Sequence, residues 1–212
     1  MIPSKEEWIQ ALDDRHGIEF QKKISSTTVA VCGLGGLGSN IAISLARAGI
    51  GKLILIDFDK VDITNLHRQQ YKANQIGMCK TEALQNNLKE INPYLETKIH
   101  TICLDESNAK DVLADADIIC EAFDNAEAKA NIVNFVLSEM PNKYIVAASG
   151  MAGLDSANLI KTRKVSKRFY LCGDEVSDIK DGIGLVSTRV MLCAAHQAHT
   201  VLRIIELIIK KL

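Results

Sequence analysis

No two of the six cysteines, at 32, 79, 103, 120, 172 and 193, stand in C-x-x-C spacing. That removes a zinc ribbon and a dithiol redox site from consideration and points to a reducing compartment. An excess of charge of one sign is equally absent: Lys and Arg total 25 against 26 Asp and Glu, a net charge of −1. Nothing general therefore draws the chain to nucleic acid or to an acidic membrane surface. The N-terminus carries Lys5, Glu6 and Glu7 where a leader would be apolar, and the late apolar stretch Val201 to Leu212 is broken by Arg203, Glu206, Lys210 and Lys211. Neither a secretory signal nor a membrane span is expected, and a cytoplasmic location is. Repeats and low-complexity tracts are missing too. The remaining picture, 212 residues with 47% hydrophobic and 24% charged, suits one soluble domain with a sizeable core.

The chain is organised around VAVCGLGGLGSNIAISLARAGIGKLILIDFD, Val29 to Asp59. Val29 to Cys32 is an apolar run without alternation, as in a parallel strand covered on both faces. Gly33, Gly35 and Gly38 then fit G-x-G-x-x-G, with Gly36 as a fourth glycine. Missing Cβ atoms there permit a tight turn, close approach of a phosphate and seating of the helix on the strand. The helix start offers free N–H groups and the positive end of its dipole. Leu53 to Ile56 reads as a second strand, and Asp57 follows Gly38 by 19 residues, where an acid meets a ribose hydroxyl. This much announces a nucleotide, and an NAD-linked dehydrogenase would share it.

A capping box, Ser4 with Glu7, predicts a short N-terminal helix. Lys80 to Ile91 has helical spacing and ends before Pro93. Strands are expected at Lys98 to Cys103, Ile118 to Cys120 and Tyr144 to Ala148, with helices near Ser107 to Leu113 and from Ala126 to Glu139. Ala157 to Leu171 suggests two short, antiparallel strands. Gly173 to Gly184 reads as a mobile loop and Leu185 to Leu212 as a closing helix. Alternating strands and helices predict an α/β fold, a Rossmann-like doubly wound, mostly parallel sheet with a short antiparallel extension. One domain, 1–212, is expected in three parts: an N-terminal helix and arm over 1–25, a nucleotide-binding core over 26–150, and the strands, crossover loop and last helix over 151–212.

The segment DFDKVDITNLHRQ, Asp57 to Gln69, distinguishes the candidates, because Asp57 and Asp59 with an asparagine and an arginine after a nucleotide-binding strand serve ribose, metal and phosphate together. With GLGGLGS, IGMCK, INP and FDN in the same order, the sequence resembles the ubiquitin-activating superfamily, and within it the bacterial ThiF and MoeB group that adenylates ubiquitin-like sulfur carriers. LARAGIGKL and HQAHTVLRI look most like a short ThiF variant of thiamine biosynthesis.

That resemblance implies ATP and Mg²⁺ as cofactors. It implies a ubiquitin-like sulfur carrier ending in Gly-Gly as partner, and a homodimer. It puts Gly36 against the phosphates and Asp57, with Asp59 beside it, at the ribose. Asn65, Arg68 and the backbone of Thr64, Leu66, His67 and Gln69 take the triphosphate, with Lys80 as a second positive charge. Asp124, beside Asn125, orients magnesium, and Arg15 reaches the neighbouring subunit's ATP. The chemistry agrees, since attack of a carboxylate on the α-phosphate builds negative charge that positioned cations must offset. Arg68 offers a planar fork and Lys80 a movable charge. Bland readings stand beside these: Asp124 as the cap of the helix beginning at Ala126, Arg68 and Lys80 as surface charges, Lys161 to Arg168 as a solvated strand face, His196 and His199 as core or surface residues. Longer relatives carry two C-x-x-C pairs for zinc, which this chain lacks, so no zinc is expected. The family's crossover-loop cysteine has no counterpart before Gly182; Cys172, near the start of that loop, reads as a relocated thiol or as a structural cysteine. Three rivals remain: the same chemistry on a molybdopterin-type, MoaD-like carrier or on the C-terminus of a peptide, an NAD-linked oxidoreductase, and a non-catalytic binding subunit.

Overall fold

The structure, a computed structural model, describes residues 2–210. Two helices, α1 (Lys5–His16) and α2 (Ile18–Ser25), precede β1 (Thr28–Cys32), α3 (Gly36–Ala48) and β2 (Lys52–Ile56). After a long connection with two short 3₁₀ turns come α4 (Lys80–Ile91), β3 (Glu96–His100), α5 (Ala109–Val112), β4 (Ile118–Glu121), α6 (Ala126–Glu139) and β5 (Tyr144–Ala148). The chain ends with β6 (Lys161–Lys164), β7 (Phe169–Gly173) and α7 (Ser187–Ile209). The capping box at Ser4 and Glu7 is present as expected. Several boundaries move: the third strand begins two residues earlier than its apolar pattern suggested, because Glu96 pairs opposite Lys52 in register, α5 is a single turn, β7 runs on to Gly173 and α7 begins at Ser187.

One seven-stranded sheet runs β3-β2-β1-β4-β5-β7-β6, with only the β6–β7 pair antiparallel. Alternate residues of each strand feed two cores. Val29, Val31, Leu53, Leu55 and Cys120 face the layer of α3, α4 and α7. Ala30, Cys32, Ile54, Ile56 and Ile119 face α5 and α6. Both faces being covered, the strands read as continuous apolar runs. The chain winds outward from β1 through β2 and β3, then returns to place β4 on the other flank of β1. Crevices at that reversal, at the carboxyl ends of the strands, are where open α/β sheets take ligands. Gly33, Asp57 and the Phe123-Asp124 turn all follow such ends.

α7 is long and apolar enough to cross a membrane by length and composition. Its stripe, including Val190, Cys193, Ala194, Val201 and Ile205, is buried against the sheet and α3.

The glycine turn is dictated by sterics. Gly33 has φ +88°, and a Cβ there would stand 2.8 Å from the Ala122 carbonyl oxygen. A Cβ on Gly38 would lie 1.8 Å from the Gly33 oxygen. These two glycines let β1, β4 and α3 converge on one point.

Candidate active site

A cleft of about 570 Å³ opens at the reversal point. Its floor is Gly33, Gly35 and Gly36, its polar wall Asp57, Asp59, Asn65, Arg68, Gln69 and Lys80, and its far lip Asp124 and Asn125. No side chain caps α3, whose N-cap is Gly35, so its first N–H groups are left for a ligand. Gly35 is the floor glycine with room above it, for a Cβ there would meet only Gln69 Nε2, at 3.8 Å. Gly36 has a second duty. A Cβ on it would come within 2.9 Å of Val190 and 3.3 Å of the Arg68 side chain, so its bareness admits both.

Asp57 is buried and spans the glycine turn: Oδ2 accepts the Leu34 N–H at 2.6 Å and Oδ1 the Asp59 N–H at 2.8 Å. Each oxygen keeps a second lone pair for a hydroxyl. Tyr71 braces the same turn by donating to the Leu34 carbonyl at 2.7 Å, and burial raises its phenol pKa. Lys80, also buried, lies 2.7 Å from Asp59 and 3.9 Å from Asp57.

Arg68 projects from the turn after Ile63–Asn65, its Nη2 donating to Asn65 Oδ1 at 3.2 Å and its Nη1 3.3 Å from His67 Nε2. Its Nε is buried with no hydrogen-bond partner, as is Gln69 Oε1. Burial pulls the guanidinium pKa below its ordinary value while the Asp124 charge opposes that shift; an arginine remains ionised throughout. A buried N–H without an acceptor is uncommon and costly, and the side chain that carries it lines the cleft, where a guanidinium suits a phosphate. The exposed Asp124 carboxylate on the far lip also fits magnesium, which takes one or two carboxylates plus phosphate oxygens.

Asn125 is the residue that caps α6, its side chain accepting the Ala128 N–H at 2.9 Å. The cap reading of Asp124 is thereby corrected: the residue before the cap is exposed and lines the cleft.

Other expected site residues lie elsewhere. Gly38 is beneath the turn. Thr64, Leu66 and His67 shape the connection without lining the cleft; the Thr64 N–H donates to Asp62 at 2.8 Å, and His67 Nε2 lies 3.3 Å from the Leu185 carbonyl. Arg15 is exposed in the last turn of α1, away from this chain's own cleft. Cys172 is fully buried on β7, and burial raises its thiol pKa, so its surroundings are those of a packed core residue. His196 Nδ1 meets Thr162 Oγ1 at 3.0 Å, and among the described residues no group of three metal-ligating side chains forms.

Sequence reading missed the apolar wall of Phe58, Ile102, Leu104, Ala122 and Phe123, and the contribution of Met151, Leu185 and Val190 from the C-terminal third. Phe58 between two acids was a signal; the others become neighbours only through the sheet order.

The loop after β7 is pinned at its root. Asp174 Oδ1 accepts the N–H groups of Val176 and Ser177, at 2.9 and 2.8 Å, and Oδ2 accepts Arg189 Nη2 of α7 at 2.5 Å. Burial alone would raise the Asp174 pKa, but the Ser177 and Val176 N–H groups, the Ser177 hydroxyl and Arg189 outweigh it and bring the value to about 2. The expected mobile loop is therefore anchored over its first residues. A folded pKa below the unfolded one stabilises at neutral pH and loses that effect as pH falls from about 4 through 2. Asp174→Asn is expected to lower stability by about 2 kcal/mol at pH 7. The difference from the parent should shrink to about 0.4 kcal/mol near pH 2, as urea unfolding at the two pH values will show.

The sequence profile of the ThiF family matches residues 10–210. Over 121 residues the chain is 39% identical to adenylyltransferase and sulfurtransferase MOCS3 of Caenorhabditis briggsae, covering 57% of this chain and 30% of that protein. Over 144 residues it is 37% identical to ubiquitin-like modifier-activating enzyme 5 of the same organism, covering 68% and 32%. The chain thus spans about a third of the length of these curated relatives. In fold it is similar to E. coli tRNA N6-threonylcarbamoyladenosine dehydratase TcdA in complex with ATP, with TM-score 0.87, 18% identity and coverage of 100% and 99%. A family profile running through the glycine turn, the Asp57 to Gln69 segment and the Asp124 turn, over nearly the whole chain, makes this protein a member of the ThiF family.

Proposed function

We propose that the chain uses ATP to convert the C-terminal glycine carboxylate of a ubiquitin-like sulfur carrier into an acyl-adenylate, releasing pyrophosphate. The observation that carries the reading is Arg68: a guanidinium with a buried, unpartnered Nε, set against an uncapped glycine helix start and facing Asp124. A dehydrogenase has little use for that arrangement. In this reading the base rests on the apolar wall near Phe58, Asp57 takes the ribose hydroxyls, and the phosphates lie over Gly35 between Arg68 and Lys80. Asp124 would hold Mg²⁺, which would supply positive charge against the phosphates. Lys80 leaves Asp59 for the phosphates, an exchange of one anionic partner for another.

A second cleft, about 830 Å³, is lined by the β6 strand and the 173–178 and 182–184 segments. Its lining residues Ala152 and Gly184 follow and precede in sequence Met151 and Leu185 of the first cleft, and Gly153 N–H donates to the Gly184 carbonyl at 2.7 Å. It supports a path for an extended carrier tail ending in Gly-Gly. The names of the curated relatives, a sulfurtransferase and an activator of a ubiquitin-like modifier, favour the same partner class. The short ThiF-like motifs favour a ThiS-like carrier and thiazole formation in thiamine biosynthesis, carried out in the cytoplasm by a homodimer in which Arg15 serves the neighbouring site.

ATP–pyrophosphate exchange with a panel of Gly-Gly carriers tests this. Exchange dependent on a ThiS-like carrier is expected; dependence on a different carrier or a peptide redirects the pathway, and failure to bind ATP overturns the activity.

A further inference from the structure

Beneath the turn that carries Asp124 is a charged pair that lines neither cleft. Glu121 closes β4 and is wholly buried. Lys129, one turn into α6, donates to its two carboxylate oxygens at 2.8 and 2.6 Å. Oε1 also accepts the Phe123 N–H at 2.7 Å. From α7, Gln197 Nε2 donates to the Glu121 carbonyl at 2.9 Å and to the Val146 carbonyl at 3.2 Å. Side chains from α6 and α7 thus converge on the last residue of β4, three positions before Asp124.

Packing does not explain a carboxylate there. Burying an ion pair costs several kcal/mol per ion before attraction repays it, and apolar residues of similar volume often serve stability as well or better. The geometry does explain it, because the same carboxylate that holds Lys129 also fixes the Phe123 N–H, and so the direction in which the chain leaves the strand.

We propose that Glu121 and Lys129 are positioning residues that set where the Asp124 carboxylate stands, acting through the Phe123-Asp124 turn. This rests on the adenylation reading. The pair touches neither nucleotide nor carrier, and its effect falls on cation holding and turnover rather than on ATP binding.

Three variants of the full chain test it. Glu121→Gln gives up the charge that holds Lys129, whose side chain is 23% exposed and can turn to water, and with it the brace that keeps the side-chain oxygen on the Phe123 N–H. The double variant Glu121→Gln/Lys129→Met removes both charges, restoring any stability lost through an unpaired ion. Lys129→Arg keeps a cation on both carboxylate oxygens. Readouts are thermal unfolding, kcat and ATP KM in pyrophosphate exchange, and Mn²⁺ affinity of the protein–ATP complex by electron paramagnetic resonance.

Glu121→Gln and the double variant are expected to lose about tenfold in kcat, in the range seen when partners of a metal ligand are removed. Mn²⁺ affinity should fall in parallel and ATP KM stay within about twofold, while Lys129→Arg stays near the parent in all three. Unchanged kcat and Mn²⁺ affinity with only a lower melting temperature would overturn the proposal. So would recovery of kcat in the double variant, or a raised ATP KM at unchanged kcat. A parent protein inactive with every carrier defeats the adenylation reading and this proposal with it; an active parent with unaffected variants defeats this proposal alone.

Discussion

Asp124→Ala is expected to lower carrier-dependent pyrophosphate exchange by about 10³-fold, while ATP binding without metal stays within about threefold of the parent. The residue is exposed, and the helix behind it is capped by Asn125 rather than by Asp124, so the substitution removes a charge without removing a cap. A melting temperature within a degree or two of the parent is expected. That separation matters, because a capping aspartate replaced by alanine would cost about 1 kcal/mol of stability. In the proposed reaction the loss falls on turnover: without a carboxylate to hold the cation, the phosphates would carry uncompensated charge as the carrier carboxylate approaches. Asp124→Asn should behave similarly, since an amide oxygen is a weaker ligand for magnesium and brings no charge. Retained exchange in either variant would show that the cation is held elsewhere and would remove Asp124 from the site.

The fold was legible because its strands are covered on both faces. Val29 to Cys32, Leu53 to Ile56 and Tyr144 to Ala148 are unbroken apolar runs of strand length, and each became a strand at those positions or within a residue of them. β3 was displaced because it lies at the sheet edge and is only partly buried, so its residues mix polar and apolar types and its register comes from pairing with β2. In the site, the residues that lie close in sequence were readable: the glycine turn, Asp57, Arg68 and Lys80 all sit within one strand–helix–strand unit and its following connection. Residues that depend on sheet order were not. Val190 reaches the floor only because α7 crosses α3 beside Gly36, and the Glu121–Lys129 pair forms only because a strand end and the second turn of a helix face each other. Cys172 was undecided for a related reason. Its place near the start of the crossover loop left a relocated thiol open beside a structural cysteine, and strand alternation turns it into the core beside Thr200 and Cys193.

Replacing Arg68 by alanine is expected to lower exchange by about 10²- to 10³-fold, the loss typical of removing one preorganised donor from developing charge. The expectation starts from the free protein. Asn65 Oδ1 and His67 already hold the two terminal nitrogens, leaving Nε without a partner. The guanidinium is therefore fixed before nucleotide arrives, and reorganisation at the moment of reaction is small. Arg68→Lys should recover little of the loss, because an ammonium on a flexible stem cannot contact Asn65, His67 and a phosphate oxygen in one plane. Lys80→Ala provides the contrast. In the free protein Lys80 is paired with Asp59 and Asp57, so part of any effect comes from leaving those carboxylates unbalanced, and raised ATP KM should accompany lower kcat. Arg68→Ala should show most of its loss in kcat, measured with saturating ATP and carrier. If instead ATP KM rises at unchanged kcat, Arg68 serves nucleotide binding alone, and the charge that develops at the α-phosphate is met by Lys80 and the helix start.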